Sequence, residues 1–200
     1  ACNTASALAV PRMKDIFKVS VQGVVAPGAA AAVQNTKNKK VGVIGTRATM
    51  ASGAYEHAIN GLDPDIQVFS AACPLLVPFI EEAMFDDKIT DLMLARYLTP
   101  LLSNGIDTLV LGCTHYPLLR DAIARIAGPD VTLVDSAQNC ALAVKSLLDS
   151  AGLSAPPERL GRLDVALTDA TEGFLRTAAR ALELEIGEVS LRSVQSTQES

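Results

Sequence analysis

The chain has 200 residues, of which 49% are hydrophobic and 20% charged, a balance that suits a folded protein with an ample core rather than a disordered one. Its net charge of −5 argues against the basic face a nucleic-acid binder needs, and no apolar run approaches membrane-spanning length. The four cysteines, at positions 2, 73, 113 and 140, form neither a C-x-x-C pair nor a dense framework, which points to reduced thiols in a cytoplasmic protein.

In chain order, 4–18 carries apolar residues at Leu8, Ala9, Met13 and Ile16, the spacing of a helix interrupted near Pro11. Val19 to Val25 reads as a strand, and Ala26-Pro27-Gly28 as a crossing between domains. An alanine-rich helix is expected over 28–36. Lys40 to Thr46 is a buried strand ending in a Gly-Thr turn, followed by a helix over 49–60 that Gly61 and Pro64 stop. A further strand covers 66–70, a turn holds Cys73-Pro74, and helical spacing runs from Ile89 to Ser103 with Gly105 as its stop.

Thr108 to Leu111 is a short apolar run, a strand buried on both faces, that Gly112 ends. Beyond it a helix from Pro117 to about Ala127, a strand at 131–134 and a helix at 136–151 continue the alternation. The tail repeats it with a strand at 162–167, a helix at 171–184 and a strand at 188–194. Such a rhythm means parallel sheets with helices on both faces.

Chemistry gathers where Cys113, Thr114 and His115 share the turn after the 108–111 strand. The carboxyl end of a parallel strand is where open α/β sheets bind ligands. A turn feeding a helix N-terminus is expected to lower the pKa of Cys113, and His115 could move a proton to or from the sulfur. A hydrogen-bonded loop histidine is the plain alternative. Cys73 and Cys140 read as core thiols and His57 as a surface residue. The spacing of Cys2, Cys73, Cys113 and His115 is unlike known zinc-finger patterns, so no metal site is expected.

Gly112-Cys113-Thr114-His115-Tyr116-Pro117-Leu118-Leu119 resembles the second catalytic motif of bacterial glutamate racemases, and Ala1-Cys2-Asn3-Thr4-Ala5 resembles the first. Between them, Val43-Ile44-Gly45-Thr46-Arg47-Ala48-Thr49, Ala72-Cys73-Pro74 and Val77-Pro78-Phe79-Ile80-Glu81 are similar to further segments of that family in the same order. The resemblance spans nearly the whole chain and weakens after about residue 151. Related aspartate racemases usually carry Glu at the position of His115, which favours glutamate as substrate. An aspartate racemase and a non-catalytic amino-acid-binding relative are the alternatives.

The resemblance implies two facing three-layer α/β domains with mainly parallel sheets. Residues 1–25 would be the remnant of the first domain, 26–134 the second, and 135–200 a return to the first. It also implies racemisation of glutamate without any cofactor or metal, supplying D-glutamate for peptidoglycan, in a protein that dimerises with a second copy when complete. By resemblance Cys2 acts on D-glutamate and Cys113 on L-glutamate. Asn3, Thr4, Thr114 and His115 match substrate-binding positions, and His115 would also assist Cys113. Glu81 matches an acidic residue near the site, although a solvated helix carboxylate is the plain reading. Thr46 and Thr49 would line the pocket for the substrate carboxylate.

The sequence departs from the family at its start. An Asp-Ser motif after a first strand and a later Pro-Tyr-Gly segment are both missing, and Cys2 lacks a preceding strand. The chain is therefore expected to be the later part of a longer protein, its first domain incomplete, and to be inactive or nearly so by itself.

Overall fold

The computed structural model describes residues 2–156, 158–159, 161, 163–169 and 189–193. They form two compact units, one made of the residues up to 154 except 81–83, the other of 81–83 and those from 155 onward.

Four strands make the sheet of the first unit: β1 (Lys40–Gly45), β2 (Gln67–Ala72), β3 (Thr108–Gly112) and β4 (Thr132–Asp135). All neighbours are parallel, in the order β2-β1-β3-β4. The two most continuous apolar runs occupy the two central positions, as burial on both faces demands. The edge strand β2 is only partly buried.

Side chains alternate between the two faces. On one, Leu109 and Leu111 pack with Leu94, Leu98 and Leu101 of α7 (Lys88–Ser103), with Leu76 and Ile80 of α6 (Leu76–Glu81), and with Ile123 of α8 (Arg120–Ala127). On the other, Val41, Val43 and Val110 meet Ala29 and Ala32 of α3 (Val25–Asn35) and Tyr55 and Ile59 of α5 (Ala54–Leu62). No helix among the described residues is long and apolar enough to cross a membrane.

The chain order sets the position of the site. From β1 the chain moves to β2 on one side, then returns past β1 to place β3 on the other. The crossovers diverge between the carboxyl ends of β1 and β3, which leaves a crevice of the kind that binds ligands in open α/β sheets.

Several elements differ from the sequence expectation. The helix expected over 4–18 is two short helices, α1 (Asn3–Leu8) and α2 (Val10–Ile16), divided at Ala9 with Pro11 in the first turn of the second. The stretch 19–24 is not a strand: the Val24 amide donates to the Ser6 hydroxyl at 3.2 Å, a side chain standing where a neighbouring strand would be. Ala26-Pro27-Gly28 lies in the first turn of α3, where proline's missing N–H costs nothing.

The helix expected over 49–60 is split into α4 (Arg47–Ala51) and α5 by Gly53, whose φ of 62° is left-handed. Proline 117 enters a 3-10 turn (Tyr116–Leu119) that precedes α8. α9 (Ser136–Ser150) follows β4 directly.

In the second unit, β5 (Val165–Leu167) and β6 (Val189–Leu191) pair in parallel, with Val165 opposite Val189. The helix expected over 171–184 lies outside the described residues, as do the outermost residues of both tail strands.

Candidate active site

Three loops converge at the carboxyl ends of β1 and β3. The first is the start of α1, where Cys2 is the N-cap and its sulfur accepts from the Ala5 amide at 3.5 Å. The second is the β1–α4 turn, which carries Thr46 and Thr49. The third is the β3 turn with Cys113, Thr114 and His115.

Cys113 is buried, at 6% exposure, whereas Cys2 is exposed. The Cys113 sulfur lies 3.9 Å from His115 Nδ1, and the Thr114 hydroxyl lies 3.2 Å from the same nitrogen. Burial pushes the Cys113 thiol above its ordinary value. The His115 amide, the Thr114 hydroxyl and the Tyr116 amide pull the other way, and negative charge on Cys2 adds to the rise. The turn thus supplies the anion-stabilising donors expected of it, but desolvation outweighs them and reverses the expected direction.

Tyr116 locks this turn to the segment just after β2, two strands away, its buried hydroxyl donating to the Cys73 carbonyl at 2.9 Å. Cys73 is a core thiol as expected, fully buried, with its pKa pushed up to about 12 by burial and then by the nearby Cys113. Such a thiol stays protonated and unreactive at neutral pH. Cys140 is half-buried rather than core. His57 is exposed, as expected.

The hydroxyls of Thr4, Thr46 and Thr49 form a triangle, with oxygen separations of 2.9 Å (Thr4 to Thr46), 3.0 Å (Thr4 to Thr49) and 3.0 Å (Thr46 to Thr49). Thr46 Oγ1 also accepts from the Thr49 amide at 3.2 Å, capping α4. Three rotatable donors with no other acceptor of their own can turn together towards an incoming carboxylate.

Asn3 is buried, at 2% exposure, and its side chain faces the protein interior. The Tyr55 hydroxyl donates to Asn3 Oδ1 at 2.6 Å, and Asn3 Nδ2 donates to Ser136 Oγ at 3.2 Å. Ser136 Oγ in turn donates to the Leu111 carbonyl at 3.1 Å. Burial raises the Tyr55 pKa above its ordinary value, so the phenol remains a donor; Ser136 partly offsets the shift, while Asp135, Cys113 and Cys140 add to it.

The fold therefore brings together Cys2, Asn3, Thr4, Thr46, Thr49, Cys113, Thr114 and His115. Glu81 is the last residue of α6 and groups with the second unit. Tyr55, Ser136 and Tyr116 escaped the sequence reading. For Ser136 a signal existed: like Cys113 and Thr46, it is a polar residue at the end of a parallel strand.

Residues 1–144 match the Asp/Glu/Hydantoin racemase family. The chain is 41% identical over 199 residues to a glutamate racemase of Geobacter metallireducens, covering 100% of this chain and 74% of that relative. The crystal structure of a glutamate racemase isoform from Bacillus anthracis superposes with a TM-score of 0.88 at 37% identity, covering 98% of this chain and 72% of that one. A glutamate racemase from Francisella tularensis, solved in complex with D-glutamate, gives 0.87 at 32% identity, with 99% and 73% covered. With other curated relatives the matched stretch is shorter: 174 residues, 64% of the glutamate racemase from Sulfurihydrogenibium, and 137 residues, 50% of the one from Desulforudis audaxviator.

Proposed function

The chain belongs to the Asp/Glu/Hydantoin racemase family, and from this premise we propose that it carries the paired-thiol site of a glutamate racemase, an isomerase that interconverts L- and D-glutamate. Inverting a Cα centre requires a base on one face of the carbon and an acid on the other. What supports the reading is the set of hydrogen bonds that ties the segment bearing Cys2 to the strand ends around Cys113: Thr4 to Thr46 and Thr49, Asn3 to Ser136, and Ser136 to Leu111.

Negative charge on Cys2 opposes ionisation of Cys113, which disfavours two thiolates, and the reaction needs one sulfur as thiolate and the other as thiol. The thiolate removes the Cα proton, and the thiol delivers its own proton to the opposite face. The pair then stands with its roles exchanged, ready for the reverse direction. By the family pattern Cys2 works on D-glutamate and Cys113 on L-glutamate. His115, 3.9 Å from Cys113, would relay the proton that resets that sulfur.

The threonine triangle would take a substrate carboxylate, in the ground and transition states alike. Thr114 would contribute a further hydroxyl beside Cys113 and Asn3 its main-chain amide beside Cys2. No cofactor is needed, since proton exchange balances without an electron sink beyond these donors.

We further assign residues 1–25 and 135–200 to one domain and 26–134 to the other, in a cytoplasmic protein that forms homodimers when complete and serves peptidoglycan synthesis. Incubating the complete protein with each enantiomer of glutamate and of aspartate in deuterated water tests the reading. Deuterium should enter Cα of glutamate alone. Entry into aspartate instead, or into neither, would overturn it.

A further inference from the structure

The sequence assigns no role to Tyr55 or Ser136, yet the structure links both to the segment that carries Cys2. Tyr55, Asn3 and Ser136 are each at most 2% exposed, so no solvent competes for their polar groups. The three bonds run in series, at 2.6, 3.2 and 3.1 Å, and end on the main-chain carbonyl of Leu111.

The direction of the chain is fixed by donor counting. Ser136 has one hydroxyl proton, and the Leu111 carbonyl can only accept, so Ser136 must accept from Asn3. That turns the Asn3 amide nitrogen towards Ser136 and its oxygen towards Tyr55. A flipped amide would leave Asn3 Oδ1 and the Leu111 carbonyl competing for one proton. Breaking any link leaves a buried polar group without its partner.

Two members of this series matter because of what they adjoin. Asn3 is the residue after Cys2, and Leu111 lies two residues before Cys113 on the strand that presents it. Two side chains, Asn3 and Ser136, therefore span from one thiol-bearing element to the other. Ser136 itself is held at the junction of β4 and α9, where Asp135 is the N-cap and pairs in register with Leu111. Tyr55 approaches from α5.

We infer that Tyr55 and Ser136 are positioning residues for the two-thiol reaction, acting through Asn3 to hold Cys2 at a set distance from the strand end that carries Cys113. The inference rests on the racemase reading above. Neither residue touches the reacting carbon. Their effect is on geometry, and a misplacement of about 1 Å in such a site is enough to cost on the order of a hundredfold in rate.

The test uses Tyr55→Phe, Ser136→Ala and the double variant of the complete protein, assayed in both directions with Cα-protiated and Cα-deuterated glutamate. Each single variant should lose tenfold or more in kcat, on the order of the penalty for a small misplacement, with KM within about threefold of wild type. The double variant should lose no more than the worse single one, because both act through Asn3. The primary isotope effect should rise from D-glutamate and fall from L-glutamate, since the displaced Cys2 becomes the slower base. A residue that only supports folding would shift the unfolding midpoint without moving that isotope balance.

Wild-type kcat with unchanged isotope effects in either folded single variant overturns the inference and leaves the racemase reading intact. Absence of glutamate racemisation in the wild type overturns the reading itself. Ser136→Ala adds no atom and deletes one hydroxyl, so it reports on the bridge even if Tyr55→Phe folds poorly.

Discussion

Gly45 and Gly112 are register partners at the carboxyl ends of the two central strands. Thr46 follows one and Cys113 follows the other, so a single rung of the ladder sets the spacing between the threonine hydroxyls and one of the two thiols. A Cβ built on Gly112 would stand 2.7 Å from the Ile44 carbonyl oxygen and 3.2 Å from the Tyr55 ring. Substituting Gly112→Ala should therefore destabilise the protein by about 1–3 kcal/mol, the usual cost of overpacking, and displace the Cys113 turn. Urea unfolding monitored by circular dichroism, alongside racemase activity, measures both effects.

Removing either thiol should abolish racemisation. Cys2→Ser and Cys113→Ser should each lower kcat by at least about 10²–10⁴-fold, the range for loss of a general acid or base, with the unfolding midpoint nearly unchanged for the exposed Cys2. Chiral chromatography of the product reads the outcome. Near wild-type turnover in either variant would exclude the two-thiol scheme.

Cys2→Ser should also lower the pKa of Cys113. Charge on Cys2 raises that pKa, so deleting the charge removes a term that opposes ionisation, and the remaining hydrogen-bond donors keep acting on the sulfur. Following iodoacetamide alkylation of Cys113 against pH, with peptide mapping to separate the cysteines, should show the reactivity midpoint moving to lower pH. A midpoint unchanged or moved upwards would show that the sulfurs do not communicate.

Stability should decline in alkali. Cys73 has a folded pKa raised from 9.0 to about 12, so its contribution is fully present below the unfolded value and is lost as pH climbs towards the folded one. Over that window each added pH unit should remove about 1.4 kcal/mol for this group, because the unfolded thiol ionises while the folded one cannot. Replacing Cys73→Ala should reduce the slope of unfolding free energy against pH between those values by one proton, whatever it does to the stability at neutral pH.

Breaking the hydroxyl triangle should weaken substrate binding more than turnover. Thr46→Val and Thr49→Val each remove one donor that would face a charged carboxylate, a bond worth about 1.5–3 kcal/mol. KM for glutamate should rise on the order of tenfold to a hundredfold while kcat changes less, as for an interaction made equally in the ground and transition states. Steady-state kinetics in both directions provide the check.

The parts legible in the sequence are those where one local rule decides. Lys40 to Gly45 and Thr108 to Gly112 are central strands because nothing but burial on both faces explains such continuous apolar runs. The clustering of Cys113, Thr114 and His115 is a property of a turn and needed no tertiary knowledge. Val19 to Val25 misled because β-branched residues suit a strand only where a neighbouring strand exists to pair with. Gly53 hid inside a helical pattern whose period it does not disturb. The pKa direction of Cys113 depends on how much protein covers the sulfur, which no spacing reveals. Tyr55 became visible only when elements far apart in sequence were set side by side.

The bond between Asn3 and Ser136 joins residues 133 positions apart. Closing a loop of that length carries a large entropic cost, and the helix on its near side, α1, has only six residues to hold it in place. Contacts of this kind form late in folding and open early under mild denaturant, ahead of the sheet they rest on. Catalytic competence should thus disappear at urea concentrations where the helical signal is still intact, so activity, rather than ellipticity, is the sensitive gauge of this protein's integrity.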